Sequence, residues 1–173
     1  IAPIGADGHG GTDTHDVDGR TEQVRDRRGN LAQYVYDDSG WVLAETNALG
    51  ETTQHTYDAN GNELTRTDPL GHVTAWTYDV RGNALTETIA LGQTTTSTYD
   101  GRNSLLTQAD AMGRTVIANT YHPRINALVS TTDALGHATS FDYDTGVGAG
   151  TNTGELVQMT DALGHVSRYE LDQ

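Results

Sequence analysis

The chain has 173 residues, 35% of them hydrophobic, with 20 Gly, 27 Thr, no Cys, no Lys and a formal charge of −14. That acidity argues against a nucleic-acid partner, which calls for a basic stripe. No apolar run approaches the roughly 20 residues of a membrane span, and without Cys there is no disulfide framework, thiol nucleophile or Cys-ligated zinc site.

Residues 1–13, rich in Gly, Asp and His, read as a non-repeat N-terminal segment. From residue 14 to 173 a repeat organises the chain. Tyr36, Tyr57, Tyr78 and Tyr99 stand 21 residues apart, and Gly29, Gly50, Gly71, Gly92 and Gly113 keep the same step. Leu43, Leu64, Leu85 and Leu106 do so too, after which the step lengthens to Leu128 and Leu156. The first, degenerate unit puts His15 at a Tyr position, since residues 14–19 align with residues 56–61.

The unit beginning at Gly61 shows the expected structure. Residues 62–67 form a strand, 68–71 a turn, 72–78 a second strand and 79–82 a second turn. Thr, Val, Tyr and Trp suit a pleated surface, and Asp, Asn, Pro and Gly suit turns. Asp first and Gly fourth in each turn specify a type I turn followed by a left-handed Gly, the hairpin connection with a G1 bulge. A helix is excluded by Gly at about every tenth position. Trp76 and Tyr78, two residues apart, share a face, as do Tyr34/Tyr36 and Phe141/Tyr143. The Tyr residues are expected on the better-packed side.

The apolar residue before the turn Gly (Leu49, Leu70, Leu91, Met112, Leu135, Leu163) predicts a turn tip folded over a neighbour. Asn103 and Ile125 replace the turn Gly, and His122 the turn Asp, which predicts distorted turns. Residues 145–153 read as a loop insertion, a flexible surface loop. About seven units predict about 14 strands and a strip about 65 Å wide. An open twisted sheet of that width curls, so the expected class is all-β, two-stranded hairpin units forming a curved antiparallel sheet. The chain opens on Ile1 without a signal-peptide pattern and stops at residues 171–173 where a turn would start, so it is expected to be a piece of a longer chain.

The repeating pattern resembles the RHS repeat, also called the YD repeat. The residues that carry the resemblance are Tyr57-Asp58, Gly61-Asn62-Glu63-Leu64, Asp68-Pro-Leu-Gly71, and Tyr78-Asp79 with Gly82-Asn83-Ala84-Leu85. This family occurs in bacterial Rhs toxins, in the B and C components of insecticidal Tc toxins, in wall-associated bacterial proteins and in teneurins. The resemblance implies a sheet that spirals into a hollow β-shell, which in the toxins encloses a C-terminal toxin until delivery. It implies as partners the remainder of the shell polypeptide and a cargo domain, and a secreted, cell-surface or secretion-delivered location. The Asp-dependent self-cleaving segment that ends many family shells is not found here.

Catalytic, metal and cofactor sites are not expected. Asp13 to Gly19 resembles a calcium loop, but Thr14 stands where a carboxylate is needed, and the repeat explains Asp16, Asp18 and Gly19 as a turn. His9 and His15 with nearby Asp residues form no defined ligand set. His72, His137 and His165 occupy one repeat position, best read as an exposed strand start. Asp58, Asp68, Asp79, Asp100, Asp110, Asp133 and Asp161 sit at turn starts, where Asp bonds its own backbone, so they are not read as acid–base pairs. The leading reading is an encapsulating shell segment. Two alternatives are an adhesive or carbohydrate-binding module using exposed Trp41 and Trp76, with a cell-surface glycan or receptor as partner, and a self-assembling β fibre.

Overall fold

The computed structural model describes residues 2–4, 12–16, 19–26, 28–144 and 154–170. The predicted loop at 145–153 and the calcium-like segment's residues 17–18 lie outside them, as does His9. The described residues are all strand and turn, with no helix. They divide into two compact units, residues 1–78 with 87–93, and residues 79–86 with 94–173.

The first unit holds β1 (Ala2–Ile4), β2 (Thr12–Asp16), β3 (Thr21–Arg25), β4 (Leu31–Tyr36), β5 (Val42–Thr46), β6 (Thr52–Tyr57), β7 (Glu63–Thr67) and β8 (Val73–Tyr78). Each pairs antiparallel with the next in chain order. β9 (Ala84–Thr88) is divided between the units. The second unit holds β10 (Thr94–Tyr99), β11 (Leu105–Ala109), β12 (Thr115–Tyr121), β13 (Leu128–Asp133), β14 (Ala138–Tyr143), β15 (Leu156–Thr160) and β16 (Val166–Arg168), again paired in order. The strands predicted at 62–67 and 72–78 are β7 and β8.

Register separates two faces. In the first unit Tyr34, Tyr36, His55, Tyr57, Trp76 and Tyr78 share one face, and Thr46, Thr52, Thr56, Thr65 and Thr67 the other. The threonines pair across strands, with Oγ atoms 2.9 Å apart in Thr46–Thr52 and 2.6 Å in Thr56–Thr65. The second unit repeats this with Thr98–Thr107 at 2.6 Å and Thr120–Ser130 at 2.8 Å. Such cross-strand pairs contribute about 0.2–1 kcal/mol each. Among the described residues no side chain, apolar or polar, is buried. The Tyr face is therefore half-buried, the better covered of two open faces rather than a core.

One position of the repeat has a backbone explanation. Where β6 meets β7, Thr56 opposes Thr65 but Tyr57 opposes Glu63, leaving Leu64 as an extra residue. The same bulge leaves Leu43 and Leu106 over. In the later repeats the extra residue is Val129 or Val157, while Leu128 and Leu156 oppose Tyr121 and Tyr143. The 22-residue step from Leu106 to Leu128 thus crosses a change of structural position, whereas the 28-residue step from Leu128 to Leu156 joins equivalent positions.

Candidate functional site: turns, tyrosine struts and a charged aromatic cluster

The turns are built from one side chain each. In Asp58-Ala-Asn-Gly-Asn62, Asp58 N–H donates to the Asn62 carbonyl at 2.9 Å and Gly61 N–H to the Asp58 carbonyl at 3.2 Å. Asp58 Oδ1 accepts from the backbone N–H groups of Asn60 (2.8 Å) and Asn62 (2.9 Å), and Oδ2 from Asn62 Nδ2 (2.9 Å). Gly61 takes the left-handed conformation at φ 87° that the bulge requires. Asp68, Asp79, Asp100, Asp110, Asp133 and Asp161 make the same pair of Oδ1 bonds. These bonds hold the carboxyl groups below the usual range. For Asp58 the largest cause is the Asn62 side chain, and for Asp68 the His72 backbone N–H.

The residue four places on matches the first. Asp is followed by a donor: Asn62, Asn83, His72, Arg114, His137 or His165. Where Asn47 comes first, Glu51 follows, and Asn47 Nδ2 donates to Glu51 Oε2 at 2.7 Å. Each of the three histidines is thus tied to its own turn Asp by Nδ1, at 2.8–3.0 Å. Ile89 has no carboxylate, yet its turn keeps both backbone bonds, at 3.0 and 2.8 Å.

The predicted distortions divide. Asn103 adopts φ 67° and preserves the five-residue turn, with the Asn103 N–H to Asp100 carbonyl bond at 3.3 Å. At His122 the turn is one residue longer: Asn126, at φ 55°, donates to the His122 carbonyl. Asn and Gly tolerate this region, whereas β-branched Ile125 does not, so the left-handed residue moves along by one.

The repeated Tyr is a strut. Tyr57 Oη donates to the Val42 carbonyl at 3.0 Å and Tyr78 Oη to the Glu63 carbonyl at 2.8 Å. In the second unit Tyr121 reaches the Leu105 carbonyl (3.0 Å) and Tyr143 the Leu128 carbonyl (2.9 Å). Each acceptor is the residue that opposes the previous Tyr at a bulge, where the ladder is interrupted. Tyr36 donates instead to Glu22 Oε2 at 2.6 Å, and that bond, with burial, pushes its hydroxyl up to about 12.

The first unit also gathers a charged cluster that the sequence did not flag. His55 Nδ1 lies 2.5 Å from Glu63 Oε1, with side chains only 12% and 19% exposed. Arg66 grips Glu63 at 3.2 and 2.8 Å and lies over Trp76, 5.3 Å from its ring centroid. Burial pushes the Glu63 carboxyl up, but bonds from Arg66 and His55 outweigh it and hold the group below its usual range. Trp41 packs on Gly61 and lies 5.6 Å from Tyr57 between centroids. Trp41 and Trp76, expected as exposed sugar platforms, are half-buried and engaged within the sheet.

The expectation that the apolar turn tips fold over neighbours fails: they stand 78–83% exposed. The five-residue turn holds its tip by bonds to the first residue, so nothing directs the tip side chain back onto the sheet. Among the described residues no group of three His, Asp or Glu side chains is placed to hold a metal ion.

Residues 36–73 and 57–89 match the RHS repeat family model. No curated protein matches the chain. Among solved structures the chain is similar to the TcdB2–TccC3–Cdc42 crystal structure, with TM-score 0.62 and 12% identity over 88% of the chain. It is likewise similar to the Photorhabdus luminescens Tc holotoxin pore, with TM-score 0.64 and 13% identity over 88%. It spans 9% of the length of each matched chain. Residues 36–89 thus match the RHS repeat, and the chain shares its fold with these Tc structures.

Proposed function

We propose that this chain is a length of wall in a larger RHS shell that encloses a C-terminal toxin or other cargo of a secreted or delivered bacterial polypeptide. The carrying observation is the absence of any buried side chain among the described residues. A sheet normally buries one face against a second layer. A sheet with none is suited to a wall, where continuous backbone pairing separates two compartments. The likeness to Tc structures supports this reading. The partners are then the rest of the shell and its cargo, and the segment's role is steric rather than catalytic. The charge of −14 favours solubility of such a wall.

The test is limited proteolysis of the full parent polypeptide. Protection of a C-terminal domain in the intact chain, lost when residues 14–173 are deleted, is the expected result. A parent near 173 residues, or a C-terminal region cleaved equally fast with and without the segment, would overturn the proposal.

A further inference from the structure

Asparagine is a thermolabile residue, because the backbone nitrogen of the next residue can attack its side-chain carbonyl carbon and close a five-membered ring. The attack needs a side-chain amide that no bond holds, and a following residue with no side chain to crowd its nitrogen. Among the described residues one asparagine meets both conditions. Asn30, Asn62 and Asn83 each donate to the Asp that opens their turn, and Asn47 donates to Glu51. Asn103, Asn119 and Asn126 are bonded to groups on neighbouring strands or turns. Every one of these precedes a residue that has a side chain. Asn60 stands exposed at the tip of the Asp58–Asn62 turn and precedes Gly61. Its backbone N–H goes to Asp58 Oδ1 at 2.8 Å, and its side-chain amide has no hydrogen-bond partner among the described residues.

We infer that Asn60 is a site of spontaneous deamidation in the folded chain, and that the isoaspartyl product loosens the turn between β6 and β7. The nucleophile is the Gly61 nitrogen, whose N–H donates to the Asp58 carbonyl at 3.2 Å. That is the longest such bond among the described glycine turns, the others lying at 2.8–3.1 Å. The Gly61 nitrogen bonds to Asn60 Cγ, the Cγ–Nδ2 bond breaks, and the Gly61 proton leaves with Nδ2 as ammonia. Water then opens the succinimide ring at either carbonyl, giving Asp or isoaspartate, and nothing is oxidised or reduced. Freeing the N–H gives up about one hydrogen bond, which slows the folded chain by roughly two- to tenfold relative to the unfolded chain.

The isoaspartyl product carries its backbone through Cβ and Cγ, one atom longer than before. The turn counts its bonds over five residues, with Asp58 Oδ1 accepting from both Asn60 and Asn62 N–H. The added atom breaks that count next to Gly61, against which Trp41 packs. The Ser39 turn supplies a matched replacement: Ser39 N–H also donates to its Asp at 2.8 Å, before Gly40 at φ 87°. Asn60→Ser therefore keeps the turn and removes the reacting amide. The site involves neither sheet face, so it stands apart from the enclosure proposal.

The test is ageing of the 173-residue chain in mildly alkaline buffer, folded and in guanidinium chloride, followed by peptide mapping with mass spectrometry and enzymatic labelling of isoaspartate. The expected result is a gain of one mass unit at Asn60 in the folded chain before any other described asparagine reacts, two- to tenfold slower than in guanidinium. Amide exchange at Asn62 should rise by roughly two- to tenfold in the aged chain and stay unchanged in aged N60S. Reaction of Asn60 only in guanidinium, or reaction of another described asparagine first, overturns the inference. So does an Asn62 exchange rate that ageing leaves equal in the two chains.

Discussion

The turn at Ile89 provides an internal test of how much the Asp side chain contributes. Its backbone bonds are those of the other turns, yet it lacks the carboxylate that accepts two backbone N–H groups elsewhere. Ile89→Asp restores the acceptor, with Leu91 and Gln93 N–H as donors and the Gln93 amide placed where Asn62 serves Asp58. Ile89 is 38% exposed, so part of any change would come from losing its apolar contacts. Ile89→Ala removes the same contacts without adding an acceptor, and the difference between the two variants isolates the carboxylate. A net hydrogen bond contributes about 0.5–1.5 kcal/mol. Two in an exposed turn place I89D about 1–2 kcal/mol above I89A, or roughly 2–8 °C in Tm. The assay is thermal and urea unfolding of both variants at neutral pH and in acid. A turn Asp has its pKa depressed in the fold, as Asp58 and Asp68 do. Its contribution is therefore complete above the unfolded value of about 3.9 and is lost as pH falls through the folded value. Measuring the difference between variants cancels the same acid loss at the other turns. The reasoning is refuted if I89D is no more stable than I89A at neutral pH, or if its advantage persists unchanged at about pH 2.

Gly61→Ala should cost more than Gly71→Ala. Both sit at positive φ, which costs a non-Gly residue roughly 1–2 kcal/mol, but a Cβ at Gly61 would meet Trp41 at 2.7 Å while one at Gly71 meets nothing within 4 Å. Paired urea titrations decide it, and equal losses would remove the Trp41 contact from the account. Tyr78→Phe should lose about 0.5–1.5 kcal/mol, the net value of its bond to the Glu63 carbonyl. Slower amide exchange around β7 in the variant would contradict the strut. Tyr36, pushed up to about 12 by Glu22, favours the fold below pH 10, and that contribution is lost as pH rises from the unfolded value of about 10 towards 12. Phenolate absorbance should show a late-titrating Tyr that moves down toward the ordinary range in E22Q.

Much of the fold was legible because its grammar is local. An Asp followed three residues later by Gly, Asn or another left-handed residue closes a turn with its own backbone, whatever surrounds it. The strands at 62–67 and 72–78 followed from those turns and from Thr, Val and Tyr between them. Even Asn103 kept its turn, because Asn tolerates positive φ. Reading Leu49, Leu70 and Leu91 as covered failed because coverage is a non-local fact that a turn sequence does not encode.

Sequence by itself determined the all-β class, the hairpin period and the job of the turn aspartates, since each depends on contacts within about five residues. Tertiary structure alone decided which carbonyl each Tyr hydroxyl meets some 15 residues away, that Leu64 is the bulged residue, and that His55, Glu63, Arg66 and Trp76 form one cluster. These depend on cross-strand register, which a single extra residue resets, and on how far each side chain reaches across the neighbouring strand. The lack of any buried side chain among the described residues is likewise a property of how many layers cover the sheet, and no single repeat carries that information.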